Sequence, residues 1–135
     1  MAANDDRWPR PVTVDRAALL AMPQHTAVLP IACVEGWSTT QTWSGVQLAE
    51  LARLAGVPAP DSARVSSLER SGAFAGATLQ GNQVRHPDAL LALRVNGTDL
   101  SPDHGFPARI IVPALPGVHN TKWVAAIDFR TAAHA

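Results

Sequence analysis

"LALRVNGTDLS", residues 91 to 101, reads as two extended segments hinged at Asn96-Gly97. A tight hairpin turn of type I′ needs positive φ at both central residues, and Asn-Gly meets that need at the lowest steric cost. Strands therefore lie on both sides of this turn, and the rest of the chain is read outward from it. Downstream, "ARIIVPA" (108–114) and "TKWVAAIDFR" (121–130) have strand length and β-rich composition. In the second, Trp123, Ala125, Ile127 and Phe129 alternate towards one face. Upstream, "HTAVLPIACV" (25–34) is an apolar strand whose Pro30 predicts an edge or a bulge. "ARVSSLE" (63–69) and "GAFAGATLQ" (72–80) read as two more strands about a turn at Ser71-Gly72.

Helical periodicity is clear in one place, "WSGVQLAELARLAG" (43–56). Ser44 is its expected cap, Leu48, Leu51, Ala52 and Ala55 share a face, and Gly56 stands where a C′ glycine belongs. "PVTVDRAALLAMP" (11–23) predicts a short strand, then a brief helix capped by Asp15 and ended by Pro23. A single helical turn is expected over Asp88 to Leu91. Several short mixed strands around one main helix, without βαβ alternation, define an α+β domain. It is expected to span residues 12–130, with 1–11 and 131–135 as loose termini.

Composition narrows the function classes. The chain has 135 residues, 47% of them apolar and 16% charged, which suits one globular domain. Acids and bases balance at 11 each and no Lys/Arg run occurs, so nucleic acid is not an expected partner. "MAANDDRWPRP" lacks the apolar core of a signal peptide, and every apolar stretch falls short of a spanning helix. The chain as written reads as a soluble domain. Its one cysteine cannot form an internal disulfide.

That cysteine, Cys33, stands where a strand gives way to the loop "VEGWST". It can be core filler, nucleophile, redox switch or metal ligand, and a buried inert thiol is the commonest of these. His25, His86, His104 and His119 fit no nucleophile signature around it and show no zinc-ligand spacing. "DHGFPARIIVP" (103–113) places His104 and Arg109 on one turn-and-strand corner, an imidazole and a guanidinium suited to an anionic ligand such as a phosphate. "PGVHNTKWV" (116–124) adds Gly117 for close backbone approach and Asn120, Thr121 and Lys122 as donors. A turn histidine and a solvated strand arginine are the ordinary readings of these residues taken singly.

Taken together, "CVEGWS" followed by "W.GV.L.EL..LAG", "PDALLAL.VNG..L…HG.P.R.IVP" and "G…TKWV..I.F" resemble the molybdopterin-binding domain of the sulfite oxidase family. The likeness runs from Val12 to Arg130 and is closest in detail to bacterial members, such as the methionine sulfoxide reductase catalytic subunit and actinobacterial membrane-anchored homologues. It implies an oxidoreductase that binds mononuclear molybdenum through molybdopterin and transfers oxygen atoms to or from a sulfite- or sulfoxide-type small molecule. It implies that Cys33 is the catalytic thiolate ligand to molybdenum, a soft donor for a thiophilic metal. It further implies cofactor contacts from His104, Arg109, Asn120, Thr121 and Lys122. Where the family brings a Ser or Thr towards the metal this sequence offers Ser67 or Glu69, and Trp37 reads as a buried core tryptophan ahead of a wall of the pocket.

The family domain begins earlier than this chain, so an N-terminal segment that grips the pterin is expected to be missing. The parent is expected to be bacterial and membrane-anchored or extracytoplasmic, with a membrane-anchored or haem electron partner. Leu115 and Pro116 replace the basic and aromatic residues of close relatives. With the shorter N-terminus, they favour an alternative: a non-catalytic domain of the same fold that binds a partner or a small anion. A cysteine hydrolase is a third reading.

Overall fold

The computed structural model describes residues 12–32, 38–68, 76–113 and 120–131, and the account below is confined to them. Residues 12–15 have no regular structure, so the short strand expected there is absent, and α1 (Arg16–Ala21) follows directly. Asp15 caps it as expected, its side chain accepting from the Ala18 N–H at 2.8 Å.

β1 (His25–Ala32) pairs antiparallel with β2 (Ser38–Gln47) and with no other described strand. Pro30 therefore sits on an edge, as its missing N–H requires. β2 corrects the sequence reading. Residues 43–47, taken there as the opening of the main helix, are extended and pair with β5 (Leu90–Val95). Ser44 is a strand residue, and the helix α2 begins only at Leu48 and ends at Leu54. The ladder explains the shift: Gly45 packs so tightly on β5 that a Cβ there would come within 2.1 Å of the Leu91 carbonyl oxygen. The helix end follows expectation. Gly56 takes φ +83° as C′, and the Val57 and Gly56 N–H groups return to the carbonyls of Ala52 and Arg53.

β3 (Ser62–Ser67) pairs with β4 (Gly76–Gln80) on one side and β8 (Val124–Arg130) on the other, forming a three-stranded sheet. α3 (Gly81–Val84) is the single helical turn of this region, capped by Gln80 and Gln83. The turn expected over residues 88–91 is absent because Leu90 and Leu91 already belong to β5. The hairpin is as read: Asn96 and Gly97 have φ +52° and +81° between β5 and β6 (Thr98–Asp99). β7 (Arg109–Ile111) pairs with β5, completing a five-stranded sheet. Every pairing among the described residues is antiparallel rather than mixed.

The main core lies between the two sheets and α2. Leu48, Leu51 and Ala52 pack with Val65, Leu91, Leu93, Ile110 and Phe129, while Ala55 is only partly buried. Each leucine so buried contributes about 1.5–3 kcal/mol, which holds a seven-residue helix in place. On β8 the expected alternation survives at Ile127 and Phe129, but Ala125 is exposed and Trp123 lies outside the strand. The opposite face of the five-stranded sheet carries a smaller cluster of Ala27, Trp43, Leu90, Ala92, Leu100 and Ile111.

Candidate functional site

Strand alternation sends Ile110 into the main core and Ile111 to the smaller cluster. Arg109 is on the face of Ile111, with its guanidinium 5.1 Å from the centre of the Trp43 ring. The side chain is 3% exposed. Its Nη1 donates to the His104 carbonyl at 3.2 Å and its Nη2 to the Asn120 carbonyl at 3.4 Å. The two stretches singled out in the sequence, 103–113 and 116–124, thus meet at Arg109.

The turn that precedes β7 is built on a short 3-10 segment, Pro102–His104. Ser101 caps it, its hydroxyl accepting from the His104 N–H at 3.2 Å and lying 2.7 Å from His104 Nδ1. The imidazole is exposed and tied to Ser101, so His104 meets Arg109 through its main chain rather than its ring. Gly105 closes the turn at φ +114°. A Cβ there would stand 2.9 Å from Arg109 Cβ and 3.2 Å from Lys122 Cβ, so a glycine is what lets the two cationic side chains flank the turn.

Residues 120–123 form the other wall. Asn120 is buried, and its Oδ1 accepts from the Val112 N–H at 2.8 Å, fixing the end of β7. The Thr121 carbonyl accepts from the Ile110 N–H at 2.8 Å. Its buried hydroxyl has no hydrogen-bond partner among the described residues. Lys122 Nζ donates to the Asp103 carbonyl at 2.9 Å and lies 5.7 Å from the Trp123 ring. Trp123 takes φ +52°, and its indole N–H donates to the Pro102 carbonyl at 2.7 Å. Lys122 and Trp123 therefore lace this turn to the 102–105 turn.

Chemically the cluster is a set of N–H donors with two positive charges, on a face away from the main core. Guanidinium and ammonium groups set beside main-chain turns suit a phosphate or another oxyanion. The charges of Arg109 and Lys122, with the buried Thr121 hydroxyl that has no partner among the described residues, are of the kind that the phosphate end of a pterin cofactor needs. A groove of about 690 Å³ elsewhere, walled by Leu51, Leu54, Leu93 and Ile127, is lined by none of Arg109, Asn120, Thr121 and Lys122. It belongs to the apolar side of the fold.

Sequence reasoning missed Trp43, which it placed at a helix start; the signal was its position two residues before the close-packed Gly45. Of Ser67 and Glu69, the two residues offered towards the metal, only Ser67 is among the described residues, and its hydroxyl donates to the main-chain carbonyls of Lys122 and Trp123 at 2.8 and 3.3 Å. Cys33, Trp37, Glu69, Leu115, Pro116, Gly117 and His119 lie outside the described residues. Among the described residues no group of three or more His, Cys, Asp or Glu could hold a metal ion, and no helix is long and apolar enough to cross a membrane.

Comparison with known proteins gives a consistent picture. The family model of the oxidoreductase molybdopterin binding domain matches residues 5–135. Sulfite oxidase of Arabidopsis thaliana is 31% identical over 111 residues, 69% of this chain and 28% of that protein. The oxidoreductase YuiH of Bacillus subtilis is 31% identical, over 84% of this chain and 57% of its own. A protein-methionine-sulfoxide reductase subunit of Azospira oryzae, so named provisionally, is 31% identical, over 81% of this chain and 40% of its own. The crystal structure of the sulfane dehydrogenase SoxCD from Paracoccus pantotrophus superimposes with a TM-score of 0.73 at 26% identity, covering 83% of this chain and 33% of that one. The chain thus spans between about a quarter and just over half of the length of these curated relatives.

Proposed function

The chain belongs to the oxidoreductase molybdopterin binding domain family, of the sulfite oxidase type, and on that premise we propose how its residues serve the cofactor. Arg109 and Lys122 hold the cofactor phosphate, assisted by Asn120 and Thr121, with His104 closing the same corner. Cys33 supplies the thiolate to molybdenum, since soft sulfur suits a thiophilic metal. When bound, molybdopterin supplies a molybdenum centre that exchanges one oxygen atom and two electrons with a substrate. The domain is taken as residues 12–130.

The observation that carries this reading is the meeting of the 103–113 and 116–124 stretches at Gly105, where the Cβ atoms of Arg109 and Lys122 both crowd the place a side chain would take. Two cations converging on one turn is what an anionic cofactor end requires, and each is steadied by main-chain carbonyls rather than left to swing.

For the whole protein we propose oxygen-atom transfer on a sulfoxide- or sulfite-type molecule, with sulfite the less favoured because the arginines of this chain are committed or scattered rather than gathered into an anion pocket. Electrons pass to or from a membrane-anchored or haem partner, and the parent is a bacterial protein held at or beyond the membrane. The test is direct. The full-length parent, made in a host that synthesises molybdopterin, should carry molybdenum and pterin near one per chain, and Arg109→Gln should strip most of both. Full loading of that variant would remove Arg109 from the cofactor site, and a wild-type protein free of molybdenum would sink the reading for this chain.

A further inference from the structure

Arg109 donates to two main-chain carbonyls, at 3.2 and 3.4 Å, from Nη1 and Nη2. Both bonds leave the edge of the guanidinium, and its face is open to a ring. Beneath the guanidinium lies the Trp43 ring, its centre 5.1 Å away, from a residue 2% exposed. Trp43 comes from β2, which reaches β7 only through β5, and Arg109 is in register with Ala92, which is in register with Gly45. Between Ser44 and Gly45 the β2–β5 ladder slips by a bulge, a device that re-aims the side chains beside it. The close approach at Gly45 and this slip bring an aromatic face of one strand under the cation of another.

We propose that Trp43 is a positioning residue for Arg109: its indole face holds the guanidinium in the plane from which that side chain meets the anionic end of the cofactor. This deepens the reading of Arg109 given above and rests on it. The negative face of an aromatic ring attracts a cation most strongly for Trp, less for Phe and not at all for an aliphatic side chain. A Leu at position 43 would keep an apolar side chain against Leu90, Ala92 and Ile111, at the cost of a cavity, but would offer the guanidinium no aromatic face. Trp43 itself need not touch the cofactor.

The experiment is a double-mutant cycle in the full-length parent, with retained pterin read by the fluorescence of its oxidised form after gel filtration. Thermal midpoints are measured on the same preparations. Trp43→Leu should lower retention about tenfold, and Trp43→Phe should recover most of it at a similar thermal midpoint. In an Arg109→Met background, Trp43→Leu should cost nothing further, because it acts through the missing cation. Losses that add in the double variant would overturn the proposal, as would Phe and Leu variants that fall together in step with their thermal midpoints. Wild-type retention in Arg109→Met alone would instead remove the cofactor role of Arg109, and the positioning role with it.

Discussion

The hydroxyl of Ser67 donates to the main-chain carbonyl of Lys122 at 2.8 Å, across 55 residues of sequence. The β3–β8 ladder slips at this point, with Ser66 opposite Ala126 but Ser67 opposite Val124. The Leu68 N–H donates to the next carbonyl, that of Trp123, at 2.7 Å. Ser67 thus pins a turn that must hold Trp123 at positive φ and present Lys122. Ser67→Ala leaves the Lys122 carbonyl without this donor and should cost about 1–2 kcal/mol in denaturant unfolding. Ser67→Thr keeps the hydroxyl and should recover part of the loss. Equal stability of the Ala variant and wild type would show that water replaces the bond at no cost.

Gly105 gives a sharper test of the two-turn corner. Alanine there must hold φ +114° and place its Cβ 2.9 Å from Arg109 Cβ, an atom near the backbone that cannot swing away. Gly105→Ala should destabilise by about 1–3 kcal/mol. It should also release pterin, because the same methyl pushes on Lys122 Cβ at 3.2 Å. Gly97→Ala is the control: it too has positive φ, but its Cβ meets nothing within 4 Å, so it should lose stability without losing cofactor.

How far the sequence could be read follows from where local chemistry decides. Asn96-Gly97 and Asp15 acted as expected because a turn and a cap are settled by the residues that form them. Pro30 found its edge because it cannot donate to a ladder. Trp43 to Gln47 were misread because the helical spacing of Leu48, Leu51 and Ala52 extends smoothly backwards through them. Only the long-range pairing with β5 makes them a strand, and only the absent Cβ of Gly45 allows it. At the site, the residue types that bind anions were visible, but their division of labour was not. That His104 meets Arg109 through its carbonyl rather than its ring depends on how the turn folds back on β7, and the Ser67–Lys122 bond on a pairing across 55 residues.

Asp99 offers a pH-dependent readout away from the cofactor. Its carboxylate accepts from Arg16 Nη2 at 2.7 Å and from Arg94 Nε at 3.3 Å, tying α1 to the 90–99 hairpin. The Arg16 hydrogen bond, foremost, holds its pKa below the usual carboxylate value; the charges of Arg16 and Arg94 act in the same direction. A folded-state pKa that is lowered stabilises the fold above the unfolded value of about 3.9. That contribution disappears as pH falls through the lowered folded value. The pair is exposed, so the effect on stability is small. The midpoint itself is the better observable: in a carboxyl NMR titration, Arg16→Gln should move Asp99 up towards the ordinary value. An unmoved midpoint would show that Arg16 does not hold the carboxylate in solution.

Cys33 comes next in sequence after Ala32, whose described pairing partner on β2 is Ser38. The proposal that it ligates molybdenum separates two jobs, holding the metal and holding the pterin, and assigns them to different parts of the chain. A free thiol has a pKa of about 8.5 and is largely protonated at neutral pH, whereas metal coordination deprotonates it outright. Hydroxyl oxygen is a harder donor and replaces thiolate poorly on such a metal. Cys33→Ser in the loaded full-length parent should therefore abolish turnover while leaving the thermal midpoint close to wild type. Pterin should remain, because the phosphate contacts proposed for Arg109 and Lys122 do not depend on the sulfur. Turnover at the wild-type rate in the serine variant, with molybdenum confirmed by elemental analysis, would return Cys33 to the ordinary role of a structural thiol. Loss of pterin together with turnover would instead show that the metal end, and not the Arg109 corner, carries the grip on the cofactor.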